Sequence, residues 1–327
     1  MKEKLVDSFG RVHKDLRISV TDRCSFRCTY CMPAEGLDWV PRDELLTFEE
    51  IERVASLTVE QFGIESIRIT GGEPTVRAHL PVLIKKLSQL PVDLSMTTNG
   101  ATLRTLSKDL VSAGLRRINI SLDSLKPERF TELTLRDNLP QVLDGIKAAV
   151  DAGLNPVKVN VVVMAGVNDD EIIDFARFGR ETGVTVRFIE FMPLDASEGW
   201  TNSQVVTQKQ IVTKIDSEFP LTPFRRTSAP ATRFIYKDGG GEIGVVASVT
   251  QQFCGTCDRV RLTADGQFRN CLFAVEEFDL KGLLRSGAED KEIAEALKEV
   301  VQSKWAGHGI GTVNFIRPAR SMSQIGG

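Results

Sequence analysis

Six strand-like segments, each followed by a helical pattern, constrain this chain more than any other feature. The strand candidates are LRISVT (16–21), SIRIT (66–70), DLSMTT (93–98), RINISLD (117–123), VKVNVVVM (157–164) and VTVRFIEF (184–191). The first helix is predicted to start at Thr47, where Glu50 completes a capping box. Phe48, Ile51, Ala55, Val59 and Phe62 follow at helical spacing. Further helical patterns cover roughly 79–90, 102–113, 139–152, 169–181 and 207–218. Gly63, Gly114, Gly153 and Gly183 stand at or just past helix ends, where a left-handed residue is wanted. Serial β–α units imply a parallel sheet with helices outside. The alternation alone leaves a closed barrel, an open barrel and a doubly wound sheet all open.

The strands carry a second pattern. A parallel sheet buried on both faces reads as nearly continuous Val, Ile and Leu. Here one face of each strand is polar: Arg17 and Ser19, Arg68 and Thr70, Ser95 and Thr97, Asn119, Ser121 and Asp123, Lys158 and Asn160, and Arg187. The opposite face is apolar, as in Leu16, Ile18 and Val20. If helices cover the apolar face, the polar one lines a lumen. A filled eight-stranded barrel packs branched apolar residues there. A partly open, six-unit α/β barrel leaves room for a large polar ligand, which such a lumen needs.

Beyond 218 the alternation ends. Pro220, Pro223, Pro230 and Gly239–Gly241 punctuate a stretch with two short antiparallel strands, TRFIYK and EIGVVAS, and helical patterns follow near 279–285 and 288–303. This divides the chain into 1–220, the barrel, and 221–327, an α+β region. The formal net charge of −3 offers no general attraction to nucleic acid or anionic membrane. The N-terminus lacks a signal peptide's apolar run, and no apolar stretch approaches membrane-spanning length. The reading is a cytoplasmic protein.

The six cysteines fall into two triplets, Cys24-Cys28-Cys31 and Cys254-Cys257-Cys271. In a cytoplasmic chain they are unlikely disulfide partners. Three thiols are also one short of a closed structural zinc site. Zinc completed by a ligand from elsewhere stays open on spacing alone. A cubane cluster normally takes four thiolates, so three would anchor it and leave one iron for a small molecule. The first triplet follows the first strand, where parallel β/α enzymes place their active sites. Tyr30, between two of its cysteines, offers an aromatic face to a bound ring. TGGEPT (70–75) follows the second strand. Its glycines permit close backbone approach, and Glu73 adds an acceptor suited to an ammonium group. After the second triplet, Arg259 and Arg261 alternate on one strand face. With Arg17, Arg68 and Lys158 they make five lumen cations, which fit a triphosphate.

CxxxCxxC after the first strand and GGEP after the second resemble the radical S-adenosylmethionine (SAM) superfamily. The second triplet, with FCGTCDRVRLTADGQFRNCLF and a terminal IGG, resembles the molybdenum cofactor biosynthesis protein A family, the GTP 3′,8-cyclases. The resemblance implies a partial (β/α)6 barrel with two [4Fe-4S] clusters. Cys24, Cys28 and Cys31 would hold the SAM-cleaving cluster, and Cys254, Cys257 and Cys271 an auxiliary one whose open iron meets guanine. Tyr30, Gly72, Ser121 and Met192 would contact SAM. Arg17, Arg68, Thr97, Lys158, Arg259 and Arg261 would bind GTP. The implied reaction abstracts the ribose 3′ hydrogen and joins that carbon to guanine C8, giving (8S)-3′,8-cyclo-7,8-dihydroguanosine 5′-triphosphate. It implies as partners an electron-donating reductase and a downstream cyclic pyranopterin monophosphate synthase. Dimers are common in such a family. The Gly326-Gly327 tail would reach into the active site. Two readings stay beside it: a radical SAM enzyme acting on peptides, and a zinc-binding interaction protein without catalysis.

Overall fold

The computed structural model describes residues 3–194, 199–224, 229–310, 312 and 315–326; Gly327 lies outside them. The strands and helices in chain order are β1 (Asp15–Ser19), α1 (Phe48–Phe62), β2 (Ser66–Thr70), α2 (Leu80–Leu87), β3 (Asp93–Thr98), α3 (Leu103–Ser112), β4 (Arg117–Ser121), α4 (Pro127–Thr134), α5 (Leu139–Asp151), β5 (Val157–Val163), α6 (Ile172–Thr182), β6 (Thr185–Glu190) and α7 (Gln208–Asp216). They continue with β7 (Leu221–Pro223), β8 (Thr232–Tyr236), β9 (Glu242–Val246), β10 (Arg259–Leu262), β11 (Gln267–Arg269), β12 (Phe278–Asp279), α8 (Leu280–Arg285), α9 (Asp290–Gln302) and α10 (Met322–Ile325). All six predicted β–α units form. Helix α4, which the periodicity did not single out, is added before α5. Thr47 and Glu50 make the capping box, and Gly63 ends α1 with φ of 69°.

One sheet of twelve strands runs in the order β12-β11-β10-β1-β2-β3-β4-β5-β6-β9-β8-β7. Strands β1 to β6 pair in parallel and in sequence. The sheet does not close on itself, so the barrel is partial. Leu16, Ile18, Ile67, Ile69, Ile118, Ile120, Val159 and Val161 are buried under the helices. Burying such side chains contributes roughly 1.5–3 kcal/mol each, and this shell holds the barrel.

The sheet also crosses residue 220. Strand β9 joins β6 in parallel and β10 joins β1 in parallel. The later part of the chain therefore extends the barrel wall at both open sides. The antiparallel pair foreseen for TRFIYK and EIGVVAS is β8·β9.

Candidate active site

The register of the sheet builds the lumen in tiers. Arg17 lies beside Arg68 on one side and Arg261 on the other, and Arg68 beside Ser95. Thr97, Asn119 and Lys158 align on β3, β4 and β5, as do Ser121, Asn160 and Arg187 on β4, β5 and β6.

The pairing of β10 with β1 also fixes the two cysteine triplets. Both strands run the same way. Cys24, Cys28 and Cys31 follow the end of β1, whereas Cys254 and Cys257 precede the start of β10. Strand β11 returns antiparallel to β10, so Cys271, just past β11, comes back to the level of Cys257. Adjacent strands thus carry one triplet at each end of the barrel.

The first triplet is held by loop-on-loop packing. Gly72 N–H donates to the Thr21 carbonyl at 2.7 Å and Glu73 N–H to the Arg23 carbonyl at 2.8 Å. A Cβ on Gly72 would stand 2.3 Å from the Asp22 oxygen, and one on Gly71 would stand 2.6 Å from the Thr21 oxygen. The two glycines are therefore needed to seat the cysteine loop. Glu73 is also built into the fold. Its buried carboxylate accepts from Thr75 N–H and Oγ1, Thr98 Oγ1 and Asn99 N–H at 2.6–3.0 Å. Those four bonds, three on Oε1 and one on Oε2, tie β2, β3 and the GGEP turn together.

Burial raises the thiols of this triplet, Cys24 to about 11 and Cys31 to about 12. Glu73 adds to the effect on Cys24, and the charge of Cys24 adds to that on Cys31. Cys28 is likewise driven up by burial and then by Cys31. Burial and mutual repulsion disfavour the thiolates of this triplet, and a cationic iron core would offset that by displacing the thiol protons on binding. Among the described residues no three His, Cys, Asp or Glu side chains close on a single metal ion; a cubane instead spreads its ligands over separate irons. Tyr30 Oη donates to Asp123 at 2.5 Å, and Val162 N–H donates to the same carboxylate at 2.8 Å. The Tyr30 ring meets Phe191 edge-on.

In the second triplet burial raises Cys254, but Cys257 goes the other way. Burial raises the Cys257 thiol, but Arg259 and Lys304 outweigh it and bring it down to about 7. Cys254, Cys257 and Cys271 line a cavity of about 180 Å³ together with Arg17, Arg68, Thr97, Arg187, Arg259 and Arg261.

Burial opposes the charged form of Arg259, but Cys257 and Asp258 favour it more strongly; the other four cations are held against their own interest. Burial and then Arg68 push Arg17 down to about 9. Burial brings Arg68 and Arg187 each to about 10. Arg261 falls further, through burial and then Arg17 and Arg259. The Nε atoms of Arg17 and Arg259 are buried without a hydrogen-bond partner. A buried donor left unmade costs about 1–3 kcal/mol, so the arrangement fits a polyanion.

Of the sequence-predicted residues, Arg17, Arg68, Thr97, Met192, Arg259 and Arg261 line this cavity. Lys158 does not. It lines a smaller space of about 20 Å³ with Arg68, Ser95, Arg117, Asn119 and Arg187. Tyr30, Gly72 and Ser121 lie outside the cavity, toward the first triplet. The sequence reading left Arg187 unassigned, although its position on the polar strand face was visible. Asn119 and Asn160 hold its guanidinium at 2.7–3.0 Å. Phe253 and His308 also line the cavity; they come from loops, where no periodicity marks them.

The described part of the tail enters the lumen. The Arg261 guanidinium donates to the Gly326 carbonyl, and the Ser323 backbone lies close enough to Cys31 to lower its thiol against the effect of burial. A Cβ on Gly326 would meet Thr70 at 2.9 Å and Ser19 at 3.1 Å. Met322, just before these anchors, forms part of the cavity wall.

Residues 18–179 match the Radical SAM superfamily, and residues 184–310 match Molybdenum Cofactor Synthesis C. The chain is 49% identical to the GTP 3′,8-cyclase of Streptomyces coelicolor over 99% of this chain and 96% of that one. It is 47% identical to the GTP 3′,8-cyclase of Mycolicibacterium smegmatis over 99% and 92%. Among solved structures, Streptococcus suis SuiB shares the fold with a TM-score of 0.60 at 13% identity, over 92% of this chain and 68% of that one.

Proposed function

The chain belongs to the GTP 3′,8-cyclase family of radical SAM enzymes, and we propose that its lumen binds GTP with the triphosphate on the buried cations and the base toward the second triplet. Its activity is the conversion of GTP to (8S)-3′,8-cyclo-7,8-dihydroguanosine 5′-triphosphate in molybdenum cofactor biosynthesis. Its cofactors are [4Fe-4S] clusters and SAM.

Cys24, Cys28 and Cys31 would hold one cluster, and Cys254, Cys257 and Cys271 the other. When bound, SAM and the first cluster would supply the radical chemistry, and the second cluster would supply a Lewis-acidic site for the base. Tyr30, Gly72, Ser121 and Met192 would contact SAM. Tyr30 is fixed for this by its bond to Asp123. Arg17, Arg68, Thr97, Lys158, Arg259 and Arg261 would bind GTP, with Arg187 beside them. The cations hold the triphosphate so that the ribose faces the first triplet. Their wall and the tail exclude the water that would quench the reaction.

A reductase supplying electrons, a downstream enzyme that turns the product into cyclic pyranopterin monophosphate, a homodimer and a cytoplasmic location complete the reading. Among the described residues no helix is long and apolar enough to cross a membrane.

The observation that carries the proposal is the set of buried, under-partnered cations between two cysteine triplets at opposite barrel ends. The test is anaerobic loading with iron and sulfide, followed by GTP, SAM and dithionite. 5′-Deoxyadenosine together with the cyclised nucleotide is expected. SAM cleavage without a nucleotide product would overturn the assignment.

A further inference from the structure

One buried polar cluster lies outside the site just described. Asp7 and Arg11 sit in an N-terminal turn in which Asp7 accepts from the N–H groups of Phe9 and Arg11 at 2.9 and 3.0 Å and from Arg11 Nε at 2.5 Å. The rest of the Arg11 guanidinium spans the loops beside the second triplet. It donates to the carbonyls of Cys254, Ala306 and Trp305 at 2.8, 3.0 and 2.6 Å. Lys304, just past α9, is only 3% exposed. Its Nζ reaches His13 Nε2 at 2.8 Å, the Arg259 carbonyl at 2.8 Å and the Cys257 sulfur at 3.5 Å.

An ammonium has three N–H donors, and here each has its own acceptor. The donation to His13 Nε2 puts the ring proton on Nδ1, which has no partner. Asp7 stands 3.7 Å from the same ring. The ammonium is thus fixed from three sides, with one N–H directed at a cysteine sulfur. Nothing in the binding of nucleotide or SAM requires this arrangement. Hydrogen bonds to cluster sulfurs withdraw charge from them and favour the reduced cluster.

We propose that Lys304 is a positioning residue for the second cluster: its N–H bond to the Cys257 thiolate raises that cluster's reduction potential, and the Asp7–Arg11–His13 turn holds the ammonium in place. The inference rests on the reading of the second triplet as a cluster site. Arg259 also acts on the Cys257 thiol but lines the cavity, whereas Lys304 is not among the cavity-lining residues.

Two measurements on anaerobically loaded full-length protein test it. In redox titrations followed by electron paramagnetic resonance, Lys304→Met should lower the reduced-to-oxidised ratio of the second cluster about tenfold at fixed poise, about 59 mV for one electron. Lys304→Arg should restore most of that ratio. The second measurement needs no variant: with ¹⁵N-lysine in the wild-type protein, pulsed spectra of the reduced second cluster should show a nitrogen coupling. A purely structural lysine would alter thermal stability alone. A Lys304→Met protein with a full complement of about eight irons and an unchanged potential overturns the proposal. So does the absence of lysine nitrogen coupling in the wild type, which decides the matter even if Lys304→Met loses its second cluster. Wild-type protein that loads only about four irons would instead refute the two-cluster reading, and the proposal with it.

Discussion

Replacing Arg17 by Met separates the cost of building the lumen from the benefit of filling it. Arg17 is 13% exposed, its Nε is unpartnered, and its nearest carboxylate, Asp15, stands 3.8 Å away. Burial and the charge of Arg68 oppose its ionisation. Exchanging such a cation for an apolar side chain of similar length stabilises a nucleotide-free protein by about 1–4 kcal/mol. Melting entropy is roughly 2.1 cal/mol/K per residue, so 1 kcal/mol moves Tm by about 1.5 °C in a chain of this size. The nucleotide-free Arg17→Met protein should therefore melt about 1–6 °C higher. Asp15 is not stranded by the change, because Arg68 and Arg259 also act on it. With GTP the sign reverses. One charge-assisted contact of about 1.5–3 kcal/mol is lost, which weakens binding roughly 10- to 150-fold. Calorimetry on both states, with GTP titrated anaerobically, reads the two effects. A lower Tm without nucleotide, or an unchanged Kd for GTP, would refute the claim that the lumen cations are under-compensated and await a polyanion.

Gly72→Ala drives a Cβ against the Asp22 and Arg23 carbonyls and should unseat the first triplet. Iron content should fall from about eight to about four, with the second cluster spared; unchanged iron would count against loop-on-loop seating. Glu73→Gln turns one acceptor of a four-bond hub into a donor. It should cost about 1–3 kcal/mol, a fall in Tm of roughly 1.5–4.5 °C, and an unaltered melting curve would refute the structural role of the hub. Burial, and then Arg187 and Arg117, bring Lys158 down to about 8. Its charged form is disfavoured in the folded protein, so the destabilisation is full below pH 8. It is relieved as pH rises from 8 toward the unfolded value near 10.5. Wild type should gain stability relative to Lys158→Met across that window, and GTP affinity should fall as the ammonium deprotonates. Parallel pH–stability curves for the two proteins would disprove this.

Most of the site could be read from sequence because two of its signals are local. Period-two alternation put Arg17, Arg68, Thr97, Lys158 and Arg187 on one strand face, and the sheet register aligns them there. The cysteine spacing marked both loops. Local signals do not report how distant segments join. Nothing in RVRL shows that β10 will pair with β1 rather than with its own neighbours, yet that pairing sets Arg261 beside Arg17 and one triplet at each end. The structural role of Glu73 was hidden for the same reason, since its partners Thr98 and Asn99 arrive from another strand. Lys304 and His13 are 291 positions apart, and no motif links them. Long-range parallel pairing thus decides whether five separate cations become one field. Loosening β10 from β1 should therefore disable both ends of the barrel together, whereas a change within either cysteine loop should disable one.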